Sequence, residues 1–122
     1  MSRIVIQTIT LECRTNKSNK FYDVALVVEN NTLNIETEYG AIGATPKQGV
    51  SGSFVIPDVR ESAGSSSFEK SVSKLVHEAN QILNSKVKKG YTGYVTSFQP
   101  VYALQKIYSH FTSNAEQKAA AL

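Results

Sequence analysis

The sequence predicts an α+β fold: a mostly antiparallel, twisted sheet packed by one long helix, followed by a short C-terminal helical extension. Three observations predict it. Phe21 to Glu29 alternates strictly, with Tyr22, Val24, Leu26 and Val28 on one face and Phe21, Asp23, Ala25 and Val27 on the other. Asn30-Asn31 suits a tight hairpin because Asn tolerates positive φ, and the return stretch puts Leu33 and Ile35 opposite Asn34, Glu36 and Glu38. The apolar period then changes from two to 3.6, as Phe68, Val72, Leu75, Val76, Ala79, Ile82 and Leu83 form one helical stripe.

The remaining elements follow in chain order. Arg3 to Glu12 reads as a strand whose apolar parity shifts between Ile4/Ile6 and Ile9/Leu11, which calls for a bulge or strong twist. Arg14 to Lys20 is polar and carries Arg14, Lys17 and Lys20; it reads as a loop, either solvated or in contact with phosphate. Strict alternation puts Tyr39 on the apolar side, so an exposed ring there requires the strand to end or bulge first. Gly43 to Gly52 is rich in turn formers, and Phe54-Val55-Ile56 forms a brief strand stopped by Pro57. Arg60 to Ser67 is a serine-rich loop.

Ser66 and Glu69 form a capping box for the long helix, and Gly90 stops it behind Lys86, Lys88 and Lys89, cations favoured in a last turn. Tyr91 to Phe98 is strand-like and fits an edge strand. Pro100 opens a second helix with Val101, Leu104, Tyr108 and Phe111 as its stripe, and the tail from Thr112 is polar and then alanine-rich.

At 122 residues the chain has the size of one domain with modest extensions. Its 41% apolar and 19% charged composition supports a packed core. No apolar run approaches the ~20 residues of a membrane span, and no secretory signal precedes Arg3, so the chain reads as soluble and cytoplasmic with no membrane partner. Cys13, the single cysteine, excludes an internal disulfide and reads as a half-buried strand residue. A net charge of +3 and a pI near 9.0 are compatible with an acidic partner.

Residue types and spacing offer little to catalysis. There is no phosphate-binding G-x-x-x-x-G-K-[ST] loop and no G-x-S-x-G elbow, the two histidines His77 and His110 lie far apart, and no cysteine pair exists. Glu36 and Glu38 share the expected solvent face of a strand. The chain therefore reads as non-enzymatic, with no metal, no cofactor and no small-molecule substrate. Binding has more to work with. Gly40 and Gly43 let a ligand approach the backbone, and Tyr39 and Tyr91 are amphipathic rings able to stack on a sugar or base. Lys17, Lys20, Lys47, Lys88 and Lys89 can supply phosphate contacts without sequence preference.

Three short motifs occur in one order: Asn19-Lys20-Phe21-Tyr22 opening a strand, Tyr39-Gly40-Ala41-Ile42-Gly43 after a hairpin, and Lys88-Lys89-Gly90-Tyr91 after the long helix. Together they resemble the WGR domain, over roughly Lys20 to Tyr91. The resemblance implies a WGR-like unit over residues 1–99 and a helical extension and tail over 100–122. In poly(ADP-ribose) polymerases this domain binds DNA at strand breaks, with the signature Trp against the nucleotide and the Arg relaying contact to neighbouring domains. Carried across, Tyr39 stands at the Trp, and Gly40, Ile42 and Gly43 match the turn. Asn19, Lys20, Lys47, Gln48 and Tyr91 match positions near DNA. Tyr39 in place of Trp keeps an aromatic ring, whereas Ala41 in place of Arg removes the relay cation.

The expected function is sequence-independent nucleic-acid binding, DNA favoured, at duplex ends or strand breaks through stacking and phosphate contacts. The alternative is a protein-interaction or self-associating module on the same scaffold, with a protein partner or a second copy in place of DNA.

Overall fold

The computed structural model describes residues 3–15, 17, 19–55 and 66–109. Strands β1 (Arg3–Arg14), β2 (Asn19–Glu29), β3 (Thr32–Ala41) and β4 (Lys47–Val55) form one antiparallel sheet in sequence order. Helices α1 (Ser66–Lys88) and α2 (residues 100–109) cover one of its faces, because their buried residues and those of the strands belong to a single apolar cluster. The architecture is α+β. No helix among the described residues is long and apolar enough to cross a membrane.

The inner face follows from the alternation. Val24, Leu26, Val28, Leu33 and Ile35 are buried against Phe68, Val72, Leu75, Val76, Ala79 and Leu83 of α1. Burying each Val, Leu, Ile or Phe side chain contributes roughly 1.5–3 kcal/mol, and this face holds most of them. The parity shift in β1 is a bulge: pairing with β2 slips between Val5 and Gln7, so that Ile9 and Leu11 regain the inner face opposite Val24 and Tyr22. Asn30 and Asn31 turn the β2–β3 hairpin at φ values of 52° and 62°.

On the outer face Arg3 forks Glu36 at 2.6 and 2.9 Å and reaches Glu29 at 3.3 Å. The strand register runs this ion pair diagonally across β2 beside the fully buried Val27.

Three expectations are corrected. First, β4 begins at Lys47, inside the stretch read as turn-rich. Two of its inward positions are Gly49, opposite Thr37, and Gly52, opposite Ile35, brought to the same face by a slip in register between Ile35 and Glu36. A Cβ at Gly52 would lie 3.1 Å from Glu78 Oε2 and 3.2 Å from Ile35 Cδ1. Missing side chains let this edge strand pass close beneath α1, and they also erase its apolar signature.

Second, Tyr91 to Phe98 adds no strand. Thr92 alone pairs with β1, exchanging two 2.8 Å hydrogen bonds with Glu12. The chain then turns to α1, where the Asn80 side chain accepts from the Phe98 N–H at 2.6 Å and donates to its carbonyl at 3.0 Å.

Third, pinning the buried Phe98 sets the phase of α2, which opens at Pro100 as expected but buries Ala103 and Ile107. Leu104 and Tyr108 are partly buried against the core, whereas Val101 stands 67% exposed. Expectations for Ile56, Pro57, the Arg60–Ser65 stretch, the Ser66 side chain, His110, Phe111 and the tail fall outside the described residues, whereas Ser66 and Ser67, read as the end of the serine-rich loop, already belong to α1.

Candidate nucleic-acid interface

The sheet outruns the helix at one end. At about 1.5 Å per residue the 23 residues of α1 span ~34 Å and stop at Gly90, whose φ of 104° is readily open only to glycine. The Gly90 N–H donates to the Val87 carbonyl at 3.0 Å and the Tyr91 N–H to the Lys86 carbonyl at 3.1 Å, the paired bonds of a Schellman cap. Beyond that cap Gly93 and Tyr91 lie against Leu11 and Tyr22, and the inner face is left open only towards Tyr39.

The register places Leu11, Tyr22, Tyr39 and Lys47 in one row across the four strands. Leu11 is fully buried, Tyr22 is 9% exposed and Tyr39 is 38% exposed, so the row passes from core to rim. This corrects the expected route to an exposed ring. β3 neither ends nor bulges against β2 before Tyr39, since that pairing runs without a slip from Thr32 to Ala41. Tyr39 keeps the inner face and is open because its cover stops.

The rings form a stacked and edge-on set. Tyr22 and Tyr39 lie 5.2 Å apart at 16°, while Tyr22 and Tyr91 meet at 6.4 Å and 82°. Lys86, in the last turn of α1, holds its Nζ 4.6 Å from the Tyr22 ring centre. Burial pushes the Tyr22 phenol above its usual pKa, partly offset by a hydrogen bond with Thr37. Burial, with the nearby Lys89 charge, pulls the Lys86 ammonium below its usual range.

Against these rings lies an open groove of about 850 Å³, lined by Thr15, Lys17, Asn19, Lys20, Tyr39, Gly40, Ala41, Ile42, Thr45, Lys47 and Tyr91. Two loops and the helix exit build it. Ile42 N–H donates to the Asn19 carbonyl at 3.0 Å, tying the β3–β4 turn to the start of β2. Gly40, at φ 153°, and the turn closed by Ala44 N–H on Ala41 O bring residues 41–45 round the rim.

The charged side chains in this lining are three lysines, with no carboxylate among them. The groove thus joins Lys17, Asn19, Lys20, Tyr39, Gly40, Lys47 and Tyr91, residues spread over 75 positions of sequence. It does not include Gln48, which pairs with Glu38 on the outward side of β3, or Lys88 and Lys89, which are exposed at the helix end.

Thr15 and Thr45 carry no sequence signal beyond their neighbours, and Ala41 and Ile42 were marked only as part of the turn motif. Tyr22 and Lys86 beneath the rim were readable only as core and helix cap. Elsewhere His77 is exposed on α1 and Cys13 is half-buried and free, as its strand position suggests. Among the described residues no group of three or more His, Cys, Asp or Glu is placed to hold a metal ion.

No family model, no curated protein and no solved structure matches the chain.

Proposed function

We propose that this chain is a non-enzymatic nucleic-acid-binding module on a divergent WGR-like scaffold, with DNA ends or strand breaks as its favoured ligand. The observation that carries the reading is the groove itself: two tyrosine rings and three ammonium groups share one open rim that no carboxylate lines. A stacked base gains roughly 1–3 kcal/mol from an aromatic platform, and lysines supply the backbone attraction that holds it there. The ring sequence Tyr39-Gly40-Ala41-Ile42-Gly43 sits at the rim, where the WGR resemblance calls for the stacking residue. One long helix packed on a mostly antiparallel sheet, with a helical extension, is the scaffold that goes with this reading.

Titration of the protein against a fluorescently labelled nicked duplex tests it. Three phosphate contacts correspond to an affinity loss of about 40-fold between 50 and 200 mM salt on a B-form duplex. Tyr39→Ala is expected to weaken binding by about 5-fold or more at either salt concentration. An unshifted anisotropy at 50 mM salt would refute the reading.

A second reading, self-association, has one observation in its favour. β4 is an edge strand, and its Val50 and Val55 are 62% and 72% exposed. Light scattering over a concentration series separates the two, because only self-association raises the mass without nucleic acid.

A further inference from the structure

Tyr22 lies under the groove rather than in its lining, yet it touches both rings that the proposed function uses. It stacks on Tyr39 at 5.2 Å and 16° and meets Tyr91 edge-on at 6.4 Å and 82°. It is itself held: 9% exposed, opposite Tyr39 in the β2–β3 register, and with Lys86 Nζ 4.6 Å from its ring centre.

A rim tyrosine on its own would sample several side-chain rotamers, and ordering it on binding costs affinity. A ring fixed from below is ordered before the ligand arrives. We propose that Tyr22 is the positioning residue of this site, holding Tyr39 and Tyr91 in the pose that receives a ligand ring. The inference rests on the nucleic-acid reading and deepens it. Tyr22 occupies one face of Tyr39, so the site takes one flat ring, as at a strand terminus or an unstacked base, and not a continuous stack.

Tyr22→Leu keeps a shorter apolar side chain and removes the ring; Tyr22→Phe keeps the ring and removes the hydroxyl. With the nicked-duplex probe, Tyr22→Leu is expected to raise Kd about three- to tenfold, the range of one aromatic pair, while Tyr22→Phe stays within about twofold. The salt slope is unchanged in both variants, because the lysines are untouched. In a background lacking both rim rings, Tyr39→Ala with Tyr91→Ala, Tyr22→Leu adds no more than about twofold, since its effect passes through those two rings, whereas a purely structural role would keep its full cost. Should Leu abolish the cooperative thermal transition, Tyr22→Met, a flexible filler of similar volume, is read in the same way.

Wild-type-like affinity of Tyr22→Leu, with Tyr39→Ala still weakened, would overturn the positioning role and leave the nucleic-acid reading standing. Absence of binding by the wild-type chain would overturn that reading, and the ligand claim of this inference with it.

Discussion

One face of one sheet behaves differently at its two ends. Beneath α1 and α2 the inner residues Leu26, Ile35 and Val24 are fully buried. At the far end the same alternation reaches Tyr39, which stands 38% exposed beside Lys47. Nothing in the strand pattern changes between the two. What changes is the cover: Gly90 ends the helix one turn past Tyr22's partner Lys86, and the next ring on the row faces solvent. An open rim can thus be made by stopping a helix early, with no interruption of the strand.

The largest loss of stability is expected at the closed end. Leu26→Ala removes a fully buried side chain and should cost about 2–5 kcal/mol in urea unfolding. Tyr39→Ala should cost less than half as much, the residual worth of one half-exposed ring pair of about 0.5–1.5 kcal/mol. Equal losses at the two sites would erase the distinction between core and rim.

Gly90→Ala sharpens it. A Cβ at φ 104° costs about 1–2 kcal/mol, with nothing nearer than Cys13 Sγ at 4.0 Å to add a clash, so the penalty is backbone strain at the cap. Since the cap also places Tyr91, nucleic-acid binding should weaken along with thermal stability. Unaltered thermal stability would mean that the helix end is not set by this residue.

The smallest expected effect is in alkali. Burial raises the folded-state pKa of Tyr22, so its neutral form is favoured in the native protein. The stability this contributes is fully present below the unfolded pKa of about 10 and is lost as pH rises through the higher folded value. Ultraviolet titration should therefore show a late phenol among the six tyrosines, absent in Tyr22→Phe. A single titration step shared by all the tyrosines would contradict it.

How much of this was legible in the sequence depended on whether the signal was carried by side chains or by cover. The β2–β3 hairpin, the β1 bulge and α1 were legible because strict apolar periods and Asn-Asn or Gly signals mark them directly. Of β4 only the Phe54–Val55 end was, since Gly49 and Gly52, the latter leaving room for Glu78 and Leu75, give the rest no apolar signature. The phase of α2 was hidden because it is fixed by Asn80 gripping Phe98 from another element, which turns Ala103 inward and Val101 out.

At the rim, the lysines and tyrosines were legible by type and by their order along the chain. Their convergence depended on the Ile42–Asn19 tie and on the helix stop. Gln48, Lys88 and Lys89 show the limit of that reasoning, since proximity in sequence to Lys47 and Tyr91 did not bring them into the groove.

Amide chemical shifts of the labelled protein, mapped as nicked duplex is added at low salt, show whether the groove is the surface that receives the ligand. Perturbations are expected at Lys17, Asn19, Lys20, Tyr39 to Ala41, Lys47 and Tyr91, with the outer face around Arg3 and Glu36 silent. Shifts confined to the β4 edge around Val50 and Val55, or none at all, would contradict it.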